Sequence, residues 1–195
     1  MDLGQQFTRF DLSTLSSHTP IVESPIPGPV WTGSWADESA TQSFAEQLAL
    51  ALQTWPGGRD ARIELRGNLG AGKTTLVRHL LRAAGVQGRI KSPTYAVVEP
   101  HQAGTGASAW PIWHFDFYRF SDPQEWEDAG FRDIFAGPGL KLMEWPDKVA
   151  GQLPPADLVI TLHVLDEDRR QVSMSAQTAA GQRWLNDWMA GGHAR

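Results

Sequence analysis

The stretch Gly67-Asn68-Leu69-Gly70-Ala71-Gly72-Lys73-Thr74 fits G-x-x-x-x-G-K-[ST], the Walker A or P-loop pattern for binding nucleotide phosphates. Its glycines permit backbone angles and a closeness of approach that a Cβ would forbid, so successive amide N–H groups can turn toward phosphate oxygens. A helix beginning at the end of the loop adds its unpaired N–H groups and the positive end of its dipole to the same anion site. Lys73 has the reach for β- and γ-phosphates, and the Thr74 hydroxyl suits a magnesium ion. In a chain of this size the pattern arises by accident on the order of 1% of the time, so its context must confirm it.

Phosphate chemistry of this kind also needs a carboxylate across the sheet to hold magnesium and a group to orient the attacking species. Two acids end apolar strands: Glu144 closes Leu140-Lys141-Leu142-Met143, and Asp116 follows Trp113-His114-Phe115. Either could be the magnesium-holding acid, and the bland alternative for each is a solvent-facing strand end. The guanine-specifying [NT]-K-x-D and the switch pattern D-x-x-G are both absent, which argues against a GTPase. A small-molecule or nucleoside kinase shares the P-loop and stays open as the alternative, although no arginine-rich lid is visible. His114-x-Asp116 is better read as a strand histidine making an ordinary hydrogen bond than as a metal pair. His79 carries no functional reading.

These residues must be positioned by a fold. The chain has 195 residues, with 41% hydrophobic and 20% charged, a globular composition sized for one domain with additions. Its net charge of −5 predicts no general basic surface for nucleic acid. The absence of cysteine removes disulfides, thiolate catalysis and cysteine-ligated zinc. Neither a membrane span nor the apolar core of a signal peptide is expected, and the reading is cytoplasmic. Residues 1–29, with Pro20, Pro25, Pro27 and Pro29, read as a mobile N-terminal extension to a domain over 30–195.

Within that domain Val30-Trp31-Thr32 predicts a short strand, and Ser34 with Asp37 has capping-box spacing for a helix to about Thr54. Ala40, Phe44, Leu48 and Leu52 make its apolar stripe. Arg62 to Arg66 predicts the strand before the P-loop. Leu76, Val77, Leu80, Leu81 and Ala84 predict the helix after it, with Gly85 at its end. The stretches Ala96 to Val98 and Trp113 to Phe117 predict a hairpin with a floppy tip from His101 to Ala109. A short acidic helix is expected from Ser121-Asp122-Pro123 to Asp128. Strands follow at Leu140 to Trp145, Asp157 to Leu165 and Gln171 to Ser175, then a helix marked by Trp184, Leu185 and Trp188. Nine tryptophans are many for this length, and most are expected in the core or as anchors for a partner.

Taken together, the P-loop through Thr75, then Lys91-Ser92-Pro93-Thr94-Tyr95, His114-Phe115-Asp116-Phe117-Tyr118-Arg119 and Glu144-Trp145-Pro146 resemble the bacterial TsaE (YjeE) ATPases in order and spacing. The resemblance covers about residues 30–176. It implies an α/β, three-layer P-loop fold with a mixed central sheet. It further implies a weak magnesium-dependent ATPase that acts with TsaB and TsaD in threonylcarbamoyladenosine modification of tRNAs reading codons that begin with A, meeting tRNA through those partners.

Carried over by residue, ATP would contact Leu69, Gly70, Ala71, Gly72, Lys73, Thr74 and Thr75. Thr74 and Glu144 would associate with magnesium, and Asp116 would serve hydrolysis beside Lys73. Ser92 and Thr94 lie in a segment similar to a switch loop that senses the γ-phosphate. Asp37 and Glu38 correspond to a segment near the base, with Arg169 approaching it from the far edge. The family commonly has an acid after the first P-loop glycine, whereas Asn68 keeps an acceptor and loses the charge.

Overall fold

A computed structural model describes residues 28–120, 125–126 and 129–191. Residues 1–27 of the expected extension, and most of the expected acidic helix from Ser121 to Asp128, lie outside them.

The strands are β1 (Trp31–Trp35), β2 (Arg62–Arg66), β3 (Val98–Ala103), β4 (Trp110–Asp116), β5 (Leu140–Glu144), β6 (Leu158–Val164) and β7 (Arg170–Ala176). The helices are α1 (Glu38–Thr54), α2 (Lys73–Ala83), α3 (Phe131–Ala136) and α4 (Ala179–Ala190). All seven strands form one sheet in the order β1-β7-β6-β2-β5-β4-β3. Its centre, β6-β2-β5-β4, is parallel, and both flanks are antiparallel. The mixed sheet expected from the P-loop resemblance is therefore present.

Strand alternation distributes the core between two faces. Ile63, Leu65, Ile112, Leu142, Ile160 and Val172 join α1, α2 and α4 in the larger cluster. Phe115 and Met143, one residue out of step, join Phe117, Trp126 and Phe131 in a smaller cluster on the other face. Among the described residues this second cluster covers the β4–β5 half of the sheet, so the third layer is thin.

The first helix departs from the expected start. Ser34 lies in β1, and Asp37 is the N-cap, its Oδ1 accepting from the Ala40 N–H at 2.9 Å. Helix α4 is capped likewise by Thr178, whose Oγ1 accepts from the Gly181 N–H at 3.1 Å. Helix α2 differs: its N-cap is Gly72, with φ of 101° and no side-chain acceptor. The first N–H groups of α2 are thus left without a side-chain cap, the arrangement an anion site requires.

Hairpin β3–β4 forms, with β3 running through His101 to Ala103. Its tip is shorter than expected and held rather than floppy, because the Thr105 carbonyl accepts from the Ser108 N–H at 3.3 Å and from Ser108 Oγ at 2.8 Å. The predicted strands after Gly139 occur with ends shifted by a residue. Helix α3 was not expected: it starts after Gly130 in the left-handed region and is only six residues long.

Candidate nucleotide site

Register brings the two acids together. Leu65 of β2 pairs with Glu144 of β5, and Glu144 pairs with Asp116 of β4, all at the carboxyl ends of parallel strands. In open α/β sheets ligands bind beyond these ends, where successive connections leave in opposite directions. Both carboxylates face α2, because their positions share the parity of Leu142 and Ile112. Neither is the solvent-facing strand end of the bland reading: Glu144 is 2% exposed and Asp116 5%.

Between them and the P-loop lies a recess of about 300 Å³. Leu69, Gly70, Ala71, Gly72, Lys73, Thr74 and Thr75 line it, with Ser92, Thr94, Asp116, Tyr118, Glu144 and Trp145 opposite. Gly67 opens the loop at φ 137°, and a Cβ there would stand 2.4 Å from the Leu162 carbonyl oxygen, so only glycine fits.

Lys73 donates to the Gly67 carbonyl at 2.7 Å and the Asn68 carbonyl at 3.0 Å, and its Nζ sits 3.9 Å from the Trp145 ring centroid. Burial pushes its ammonium pKa below the ordinary value, while Glu144 and Asp116 oppose that shift. The Thr74 hydroxyl lies 2.9 Å from both oxygens of Glu144. Hydroxyl and carboxylate oxygens of this kind suit a hard cation such as Mg²⁺, which takes few protein ligands and fills its shell from phosphates and water.

Asp116 connects the site to the segment around Ser92. Its Oδ2 accepts from Thr94 Oγ1 at 3.0 Å, its Oδ1 accepts from the Tyr118 N–H at 3.0 Å, and Thr94 Oγ1 in turn lies 2.8 Å from Ser92 Oγ. The segment closes on Val97, a β-branched residue at φ 64°, whose carbonyl accepts from the Asp116 N–H at 2.9 Å. Trp145, just after Glu144, has φ 58°. These two are the non-glycine residues with positive φ among the described residues, and they flank the two acids. Strain of this kind collects at ligand clamps and switch segments.

Asp37 and Glu38 line a neighbouring recess of about 180 Å³ together with Gly72 and Thr75. The capping bond from the Ala40 N–H, then one from Ser39 Oγ, holds the Asp37 carboxyl below its usual pKa. Glu38 binds His79 Nε2 at 3.0 Å, so His79 ties α2 to α1. Arg169 is absent from the lining of both recesses and pairs with Asp166 at 2.6 Å. Its neighbour Arg170 lines the second recess, and its Nε donates to the Ala71 carbonyl at 3.2 Å. Strand parity could have found it: Val172 and Met174 point into the α1–α2 cluster, and Arg170 shares their side. Trp145 lies beside Glu144 as its place in the Glu-Trp-Pro motif implies, whereas the place of Tyr118 in the recess is not readable from its motif.

A sequence model of the family described as "Threonylcarbamoyl adenosine biosynthesis protein TsaE" matches residues 35–172. The chain belongs to the TsaE family. It is 39% identical over 150 residues to the tRNA threonylcarbamoyladenosine biosynthesis protein TsaE of Haemophilus influenzae, covering 77% of this chain and 92% of that one. The protein of the same name from Bacillus subtilis is 34% identical over 122 residues, covering 63% and 72%. A crystal structure of Bacillus subtilis YdiB superposes with a TM-score of 0.64 at 24% identity, covering 84% of this chain and 96% of that one, which supports the P-loop fold. TsaE membership leaves the kinase alternative without support. No helix among the described residues is long and apolar enough to cross a membrane.

Proposed function

We propose that this chain is the magnesium-dependent ATPase subunit of the cytoplasmic machinery that makes threonylcarbamoyladenosine in tRNAs reading codons that begin with A, working with TsaB and TsaD and meeting tRNA through them. Residues 30–195 form the ATPase domain, and 1–29 extend it. One observation carries the reading: Lys73, Thr74, Asp116 and Glu144 converge on one recess, with Thr74 Oγ1 at 2.9 Å from both Glu144 oxygens.

In this mechanism the P-loop amides and the uncapped start of α2 hold the phosphates of ATP. Lys73 exchanges its two carbonyl partners for phosphate oxygens, and Thr75 adds a contact. Thr74 and Glu144 would hold magnesium, which would supply charge neutralisation at the phosphate oxygens. Asp116 orients the attacking water and accepts its proton as the bond to the γ-phosphorus forms and the bond to the β–γ bridging oxygen breaks. Asp37 and Glu38 are assigned to the side of the base, and Arg169, paired with Asp166 outside their recess here, would reach it only by leaving that carboxylate. Thr94, bonded to Asp116 here, and Ser92, bonded to Thr94, are positioned to exchange these bonds for the γ-phosphate.

Lys73→Ala should abolish phosphate release, with the circular dichroism of the fold retained; normal hydrolysis by that variant would sink the P-loop assignment. Reconstitution with TsaB, TsaD and tRNA should then show repeated modification cycles only when this chain and ATP are present. The link from Thr94 to Asp116 also favours a second reading, a nucleotide-gated binding module whose hydrolysis is incidental. ATP-dependent capture of the TsaB–TsaD pair, with modification undiminished in Asp116→Asn, would single it out.

A further inference from the structure

The Glu144 carboxylate is held by two side chains. Thr74 reaches both of its oxygens, and His114 Nε2 lies 2.9 Å from Oε1. His114 is fully buried on β4, two residues before Asp116, and pairs in register with Leu142. Its side of β4 is apolar at Ile112, which lies in the larger core cluster with the register partner Leu142, and turns polar at Asp116 at the strand's end. The ring's Nδ1 is buried with no hydrogen-bond partner. A core position of that kind suits an aliphatic residue, so the contact with Glu144 is the feature that explains an imidazole.

We infer that His114 is a positioning residue for Glu144, aiming its carboxylate at the cation associated with Thr74; the inference rests on the metal reading of Glu144 above. An ionised carboxylate only accepts, so the proton of a neutral ring sits on Nε2 and Nδ1 keeps a bare lone pair. Thr74 turns a lone pair toward the cation when nucleotide binds, whereas His114 lies inside the core and keeps its contact in either state. One strand thereby supplies both the hydrolytic acid and the residue that orients the acid of the next strand.

The test is Mn²⁺ binding to the full chain saturated with ADP, read by electron paramagnetic resonance, beside ADP affinity in EDTA. His114→Leu should weaken Mn²⁺ about 10- to 100-fold and leave metal-free ADP affinity unchanged, whereas His114→Gln, whose amide can reach the same oxygen, should recover to within about threefold. Metal affinity in His114→Leu within about twofold of wild type, or an equal loss of metal-free ADP affinity, overturns the assignment. Should the leucine variant not fold, ¹⁵N spectra of the wild-type histidines decide: an Nε2–H tautomer at His114 supports the inference, and an Nδ1–H tautomer overturns it. ADP affinity in wild type that ignores Mn²⁺ altogether would instead overturn the metal reading of Glu144, and this inference with it.

Discussion

On the β1–β7–β6 side of the sheet, stability comes from rings. Trp31 stacks on Phe44 at 5.5 Å, Phe44 meets Trp188 edge-on at 5.2 Å, and Trp55 stacks on Trp184 at 5.7 Å. At the carboxyl ends of β4 and β5 the face toward α2 buries polar groups instead, Asp116, Glu144, Lys73 and His114, with the smaller aromatic cluster on the opposite face, and the backbone passes twice through the left-handed region at non-glycine residues. Aromatic burial stabilises through area and asks little of geometry. Buried charges hold only while each keeps its partners, and strained backbone holds only while the surroundings impose it. One end of this molecule is built to stay folded, and the other to exchange its partners for a ligand.

The largest expected effect lies in the aromatic region. Trp188 is fully buried, and Trp188→Ala should cost about 3–5 kcal/mol, while the fraction that stays folded binds nucleotide as wild type does. Urea unfolding and nucleotide titration together check this; a loss of nucleotide affinity in the folded fraction would erase the division between the two regions.

Asp116→Asn should act the other way, lowering phosphate release by about a hundredfold or more, as expected for loss of a general base. Its unfolding midpoint should stay near that of wild type, because the asparagine Oδ1 can still accept from the Tyr118 N–H while its Nδ2 donates to the Thr94 hydroxyl, which can accept as well as donate. A large drop in stability with activity intact would show Asp116 to be structural.

The smallest effect is expected at Val97, where Val97→Gly loses a half-buried side chain but relieves a left-handed conformation worth roughly 1–2 kcal/mol in an L-residue. Net stability should therefore change by less than about 1 kcal/mol, well below what the same truncation would cost in a relaxed core. A loss as large as that of Trp188→Ala would mean that the segment carries no strain to relieve.

Legibility followed the range of the interactions. Strand β2 and helix α2 were readable because alternation, periodicity and the glycines of the loop lie within a score of residues. Helix α3 was not, because six residues after a left-handed glycine give no periodic stripe and no capping side chain. Ser34 has capping spacing but was taken into β1 by pairing with Gln171, a partner far along the chain. Of the site, every P-loop residue and both acids were nameable from motifs, whereas Arg170 and the Glu144 partner of His114 were not, since side-chain contacts across strands depend on register and parity.

By itself, then, the amino-acid order determined that a phosphate-binding loop joins a strand to a helix and that Asp116 and Glu144 end apolar strands, while it left the tryptophans open between the core and a partner surface. Those features are local, set by backbone freedom and hydrophobic period. Only the tertiary structure decided that the two acids stand side by side in register, that α2 starts without a side-chain cap, and that Val97 and Trp145 carry the strain. These depend on which distant strands pair, and pairing is settled by burial of the whole sheet rather than by any one segment.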